Sequence, residues 1–304
     1  MSQVKTPIIL DVDTGIDDAA AIALASLSPR ADLVAVTTVA GNTTIEHATR
    51  NSLDVIDMLG FSHVPLYRGA SRPLARPLQT AAHVHGDNGI GGAALPASNR
   101  QPGEYKGPAA IIRLALERPG ELTLVCLGPL TNLAIALNVQ PDLPELLKSV
   151  VVMGGAYFVG GNISKAAEFN FYCDPEAASQ VLTMPFPNIV AVGLDVTHQV
   201  ALPRESWATA ADHSSPVRLL LHEVFKESFN AGAGAPVYIH DALAVAVALD
   251  PSLLACELHT VTIQAGSDER GASRTGACAP VEVAVSVDGQ RFLMELLRVF
   301  DLPQ

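Results

Sequence analysis

Positive charge is scarce in this chain. Its 304 residues carry 19 Lys and Arg against 31 Asp and Glu, a formal charge of -12, which argues against a nucleic-acid backbone or an anionic membrane as partner. No apolar run is long and charge-free enough to span a bilayer. The opening residues, MSQVKTPIILDVD, lack the apolar core and small-residue cleavage site of a secretion signal. The four cysteines (Cys126, Cys173, Cys256 and Cys278) are scattered, with no CxxC or His/Cys pairing that suggests zinc or a redox centre. Three lie in apolar or small-residue surroundings, where a buried thiol is the plain reading. A reducing cytoplasm is therefore the expected location. Internal repeats and separating linkers are also missing, so residues 1–304 read as a single domain.

What the chain does have is apolar mass. Hydrophobic residues make up 49% and charged ones 16%, the balance of a well-folded globular enzyme. Apolar, β-branched runs recur at Pro7–Val12, Leu33–Ala40, Leu122–Leu127, Val150–Met153, Ile189–Leu194 and Leu258–Ile263. Between most of them lie helical periodicities, at Ile45–Leu59, Ala109–Glu117, Asn132–Ala136 and Pro175–Leu182. This alternation predicts an α/β fold with an open, mainly parallel sheet covered by helices. Ligands of such folds gather at the carboxyl ends of the strands. The polar stretches LDVDTGIDD, VAGNTT, CLGPLTN and VVMGGAYFVGGN all follow an apolar run. Residues 213–248 read as two helices around a loose NAGAGAPVY turn, a candidate helical cap or lid over the site.

The densest of these stretches is ILDVDTGIDD, with Asp11, Asp13, Asp17 and Asp18 inside eight residues. Gly15 supplies a turn, and Asp17 or Asp18 can cap the helix that follows. Capping occupies one carboxylate, or two with the helix dipole, and leaves Asp13 facing like charges. A divalent cation resolves the crowding, because hard cations take clustered carboxylate oxygens. A phosphate loop is excluded, since the glycines and Lys it needs are replaced by acids. An aspartyl-phosphatase DxDx[TV] pattern is close, but Gly15 stands where Thr or Val belongs.

Further along, HDALAVAVALD places His240 and Asp241 just before an apolar helix. Alone, Asp241 could be a cap and His240 a surface residue. Beside the acidic loop, Asp241 becomes a distant anion for the cation, and His240 a proton donor with a pKa near the operating pH. GGNISKAAEFNFYCDPEAA presents Asn162, Glu168 and Asn170 around Phe169, short hydrogen-bonding groups of the kind that read sugar hydroxyls. In the same stretch DPEAA is a helix start, with Asp174 as its cap. HVHGDNGIGG is a Gly-rich loop in which one of two histidines meets a ligand or both face solvent.

These blocks, with LGPLTNLAIA and VGLDVTHQ, resemble the nucleoside hydrolase family, the inosine-uridine preferring nucleoside N-ribohydrolases. The resemblance runs nearly the whole chain, and DxDxGxDD is the family's signature. It implies one Ca2+ at the bottom of a pocket, held by Asp13, Asp18, Asp241 and the main-chain oxygen of Leu127. By the same resemblance Asp17 contacts the ribose and the metal-bound water. Asn42, Asn162, Glu168 and Asn170 contact the ribose beside the Met153 main chain, and His85 and His240 face the base. The implied reaction is hydrolysis of a ribonucleoside to ribose and free base in purine or pyrimidine salvage, with Asp13 as general base and His240 assisting the leaving group. Inosine, uridine and cytidine are the expected substrates, because the purine-specific members stack the base between tryptophans and this chain has only Trp207. A homo-oligomer, dimer or tetramer, is the expected assembly. A Mg-dependent aspartyl phosphatase using Asp11 or Asp13, and a non-catalytic nucleoside-binding protein, are the competing readings.

Overall fold

Ile8 to Val12 are apolar or acidic without a break, and every one of them is buried. A strand covered on both faces needs this pattern, and it lies at the centre of the sheet. The computed structural model describes residues 4–231, 234–266 and 268–303. The chain begins β1 (Thr6–Val12), α1 (Ile16–Leu27), β2 (Ala31–Thr38), α2 (Ile45–Met58) and β3 (Leu66–Arg68). It continues through α3 (Ala82–His85), α4 (Gly107–Glu117), β4 (Thr123–Cys126), α5 (Thr131–Val139), α6 (Leu143–Leu146) and β5 (Ser149–Met153). Next come α7 (Phe169–Cys173), α8 (Pro175–Thr183), β6 (Ile189–Val192), α9 (Leu194–Thr197) and α10 (Arg204–Thr209). It closes with α11 (Pro216–Ala231), α12 (His240–Leu249), β7 (Leu254–Ile263), β8 (Ser273–Val287) and α13 (Gly289–Val299).

The strands form one sheet in the order β3-β2-β1-β4-β5-β6-β8-β7. Every neighbouring pair is parallel except β7 and β8, which are antiparallel. The mainly parallel α/β sheet read from the sequence is thus borne out. After β1 the chain winds outward to β2 and β3, then returns to the other side of β1 as β4. That reversal opens a crevice at the carboxyl ends of β1 and β4, where doubly wound folds bind ligands.

Side-chain alternation divides the core into two layers. Ile8, Leu10 and Val12 point toward α1 and α12, while Ile9 points toward α4 and α5. α12 also packs beneath β1, β4 and β5. Its residues Asp241 to Ala248 are all buried, so this half of the 213–248 segment belongs to the core rather than to a cap. An all-apolar helix needs cover on every side, and α1 and the sheet supply it. α11 and Pro236–Tyr238 are the parts of the segment that reach the crevice, and Gly232 and Ala233 lie outside the described residues. Among the described residues no helix is long and apolar enough to cross a membrane. Cys126 and Cys173 are buried free thiols as expected, whereas Cys256 is exposed on the edge strand β7. The side chain of Cys278 lies outside the described ones.

Candidate active site

Two helix N-termini meet at the mouth of the β1–β4 crevice. Asp17 and Asp18 lie in the first turn of α1, and Asp241 in the first turn of α12. Carboxylates are favoured there by the helix dipole. Asp18 also caps its own helix, accepting from the Gly15 amide at 2.8 Å and the Asp13 amide at 3.2 Å. The capping role read from the sequence is real for this residue, yet it leaves the rest of the cluster unexplained. One carboxylate oxygen each from Asp17, Asp18 and Asp241 lies within 4.8 Å of the others.

Asp13, just beyond β1, completes the group from beneath and is fully buried. The Asn42 amide donates to its Oδ2 at 2.6 Å, and the Asn42 side-chain Nδ2 donates to Asp13 Oδ1 and to Asp18 Oδ2, each at 3.2 Å. Asn42 therefore clamps two of the acids together. The loops can approach this closely only because residues 41 and 128 are glycines. A Cβ at Gly41 would stand 2.1 Å from Asp13 Oδ2, and one at Gly128 would stand 2.9 Å from its Oδ1.

The charge balance of the cluster decides its chemistry. Among the described residues, no Lys or Arg lines the cavity above it. Burial, reinforced by the charges of the neighbouring acids, pushes the carboxyls of Asp13 and Asp241 up and that of Asp17 up to about 7. A pair of unit charges about 4 Å apart repels by roughly 4 kcal/mol at an effective dielectric of about 20. Three such pairs approach the roughly 5–15 kcal/mol that holds a domain folded. The ionised cluster therefore needs a counter-charge, either shared protons or a cation. All its donors are hard oxygens, the set a divalent cation prefers.

Asp11 stands apart from this group. It accepts from Thr37 Oγ1 at 2.6 Å and from Asn132 Nδ2 at 2.7 Å, while Asn132 also donates to the Thr38 carbonyl. Burial raises its carboxyl to about 7 despite those bonds. Its side chain joins β1, β2 and α5 beneath the site, and it does not line the cavity.

Above the acids is a cavity of about 430 Å³, within the range of small-molecule sites. Asp17, Asn42, His85, Leu127, Met153, Asn162, Glu168, Phe169, Asn170, His240 and Asp241 all line it. Residues separated by more than two hundred positions are thus brought together, with Asp13 and Asp18 below them. Several of these side chains are held by the protein itself. Asn170 Nδ2 donates to the Leu127 carbonyl at 2.7 Å and to the Met153 carbonyl at 3.2 Å. Glu168 caps α7, accepting from the Asn170, Phe171 and Gly155 amides at 2.8, 3.2 and 3.0 Å. Asn162 Oδ1 accepts from the Phe169 amide at 3.0 Å, which leaves its amide nitrogen for a ligand.

Of the two histidines in HVHGDNGIGG, His85 is the buried one, and His83 is exposed at the rim. The Ile16 amide donates to His85 Nδ1 at 3.1 Å. That bond assigns the ring proton to Nε2. Burial, with a smaller push from His83, holds His85 down to about 4. His240 Nδ1 lies 2.7 Å from Thr197 Oγ1. Burial, then the nearby His198 and His85, lowers His240 to about 3. The sequence reading gave His240 a pKa near neutrality, and this is corrected: desolvation disfavours the imidazolium, so the ring is neutral and offers an N–H.

Thr197 and His198 carry no role in the sequence reading. His198 lies 4.7 Å from the Tyr238 ring and 5.6 Å from the His240 ring. The signal was present in VGLDVTHQ, a polar stretch directly after the strand Ile189–Val192, but it carries no spacing that points at His240.

The model of the family described as inosine-uridine preferring nucleoside hydrolase matches residues 8–294. An uncharacterized protein of Schizosaccharomyces pombe is 46% identical over 64% of this chain, and the match spans 62% of that protein. The inosine-uridine preferring nucleoside hydrolase of Crithidia fasciculata is 39% identical over 84% of this chain and 83% of its own. A solved plant nucleoside hydrolase superposes with a TM-score of 0.92 at 32% identity, covering 98% of this chain and 99% of that one.

Proposed function

The chain belongs to the inosine-uridine preferring nucleoside hydrolase family, and on that premise we propose that its cavity hydrolyses ribonucleosides to ribose and free base around a Ca2+ ion. The observation that carries this reading is the Asp17–Asp18–Asp241 cluster, with Asp18 and Asp241 buried and Asp17 half-buried, under a cavity lined by no Lys or Arg among the described residues. Asp13, Asp18, Asp241 and the Leu127 carbonyl would hold the ion, with Asp17 beside them. Many oxygen donors, charged and neutral, suit the large, adaptable shell of Ca2+ better than the strict octahedron of Mg2+. When bound, such an ion activates water and offers a template for sugar hydroxyls.

The chain's own residues supply the rest. Asp13 takes the proton of the attacking water, with its orientation fixed by Asn42. Asp17, Asn42, Asn162, Glu168 and Asn170 hold the ribose hydroxyls, assisted by the Met153 main chain, and Phe169 covers the sugar. Glu168 and Asn170 are already fixed by backbone bonds, so they are set for ligand before it arrives. Binding energy from the hydroxyls is then available to move the sugar toward its oxocarbenium-like transition state. His85 and His240 face the base. As neutral rings they donate hydrogen bonds to it as negative charge develops during bond cleavage.

Inosine, uridine and cytidine are the proposed substrates. Trp207 stacks on His222 and Phe229 instead of lining the cavity, so no tryptophan is available there to sandwich a purine. The phosphatase reading has no support, since among the described residues a phosphate ester would find no Lys or Arg along the cavity. The proposed setting is a reducing cytoplasm, in keeping with the free buried thiols Cys126 and Cys173. The proposed assembly is a dimer or tetramer, and sedimentation would measure it. Activity is tested by incubating the protein with the three ribonucleosides and assaying reducing sugar. Ribose from at least one is expected, and none from any would overturn the reading.

A further inference from the structure

Among the described residues, one more group of metal-ligating side chains comes together outside the cavity. His213 follows the short 3-10 turn Ala210–Asp212, and His222 and Glu223 lie on α11. His213 Nε2 is 3.0 Å from His222 Nδ1, His222 Nδ1 is 3.2 Å from Glu223 Oε1, and His213 Nε2 is 3.9 Å from that same oxygen. Ligands about 2.0–2.1 Å from a tetrahedral zinc stand roughly 3.3–3.4 Å from one another. The three separations bracket that value. The triangle is therefore already close to one face of a tetrahedral shell, with the fourth corner open on the solvent side.

The surrounding structure holds this triangle in place. His213 adopts a left-handed backbone conformation, with φ of 50°, uncommon for a residue with a side chain. Asp212 fixes the preceding turn, accepting from Arg218 Nε at 2.7 Å and from the Ser214 amide at 3.0 Å. The His222 ring is stacked on Trp207 at 5.3 Å with the planes 9° apart. A preset arrangement of two imidazoles and a carboxylate loses little entropy on binding an ion.

We propose that His213, His222 and Glu223 form a second metal site, one that takes a borderline divalent cation such as Zn2+. Its chemistry separates it from the acidic cluster: imidazole nitrogen suits zinc and its neighbours, whereas an all-oxygen set suits Ca2+. A cation here ties the 210–212 turn to α11, the helix that carries Phe225 and Ser228 to the substrate cavity. A cation bound here by the folded chain alone stabilises the folded state by mass action.

Trp207 is the only tryptophan in the chain and lies against one ligand, so it reports directly on occupancy. The tag-free protein, kept in excess Ca2+ so that the acidic cluster is filled, is titrated with paramagnetic Co2+ while Trp fluorescence is followed. Saturable quenching at one ion per chain, reversed by Zn2+, is expected, together with a rise in Tm on adding Zn2+. His213→Ala and, independently, Glu223→Gln should each weaken Co2+ binding by at least about tenfold and remove the Tm rise. Neither substitution touches the cavity, so ribose release in Ca2+ should stay unchanged. Equal quenching in the wild type and both variants would overturn the site, as would the absence of saturable quenching in the wild type.

Discussion

Asp241 is the acid whose position owes most to the fold, since it reaches Asp17 and Asp18 from the far end of the sequence. Replacing it with Asn keeps the shape and removes a charge. Calorimetry should then find Ca2+ affinity lower by roughly a hundredfold or more, and ribose release falling with it. The metal-free variant should also be no less stable than the parent, because one source of repulsion in the cluster is gone. His240→Ala should reduce turnover of inosine by roughly a hundredfold or more and hardly affect a nitrophenyl riboside, whose leaving group needs no help. Equal losses on both substrates would remove the leaving-group role. Thr197→Val, which deletes the partner of His240 Nδ1, should show the same pattern in weaker form. At this scale the acids and amides of the site were legible because their residue types are chemically unusual where they stand. Thr197 and His198 were not, since a threonine beside a histidine is ordinary in any loop. The neutrality of His240 was hidden as well, because it arises from burial that only the fold creates.

Among the elements, Asp174 carries a structural load that its sequence only half discloses. It caps α8 through the Ala177 amide at 3.1 Å, as DPEAA foretold. It also accepts from Thr131 Oγ1 at 2.6 Å and from the Leu74 amide at 2.9 Å. Asp174→Ala leaves three buried or half-buried donors without a partner and should destabilise by about 3 kcal/mol in denaturant unfolding. A loss below about 1 kcal/mol would show that the cap alone matters. The central strands were read correctly because a doubly covered strand has to be uniformly apolar. β3, three residues long, offers too little pattern to register. β8 was missed because Gly276 and Pro280 interrupt it and small residues dilute its alternation; its pairing with β7, not local propensity, makes it a strand. The run read as Leu258–Ile263 begins at Leu254 for the same reason.

Across the whole molecule, distant parts are joined by ion pairs as well as by the core. Asp250 follows α12 and meets Arg30 from the α1–β2 connection at 2.9 Å and Arg291 from α13. Burial alone would raise its carboxyl, but hydrogen bonds from Ser252, Arg30 and Arg291 outweigh it and hold the group at about 2. A depressed folded value means stability that is present above the unfolded pKa, near 3.9, and lost as pH falls toward about 2. Asp250→Asn should therefore lower stability at pH 6 by no more than about 1 kcal/mol, given the solvent around the pair, with the difference shrinking as the pH falls through about 2. The same global arrangement, β1 and β4 parting at the switch point while α1 and α12 converge, creates the acidic cluster on which the functional account depends. Metal reconstitution tests that account most directly. Protein stripped of divalent ions should release no ribose from inosine, uridine or cytidine, and should regain activity in proportion to one Ca2+ bound per chain. Undiminished ribose release from the stripped protein would contradict it.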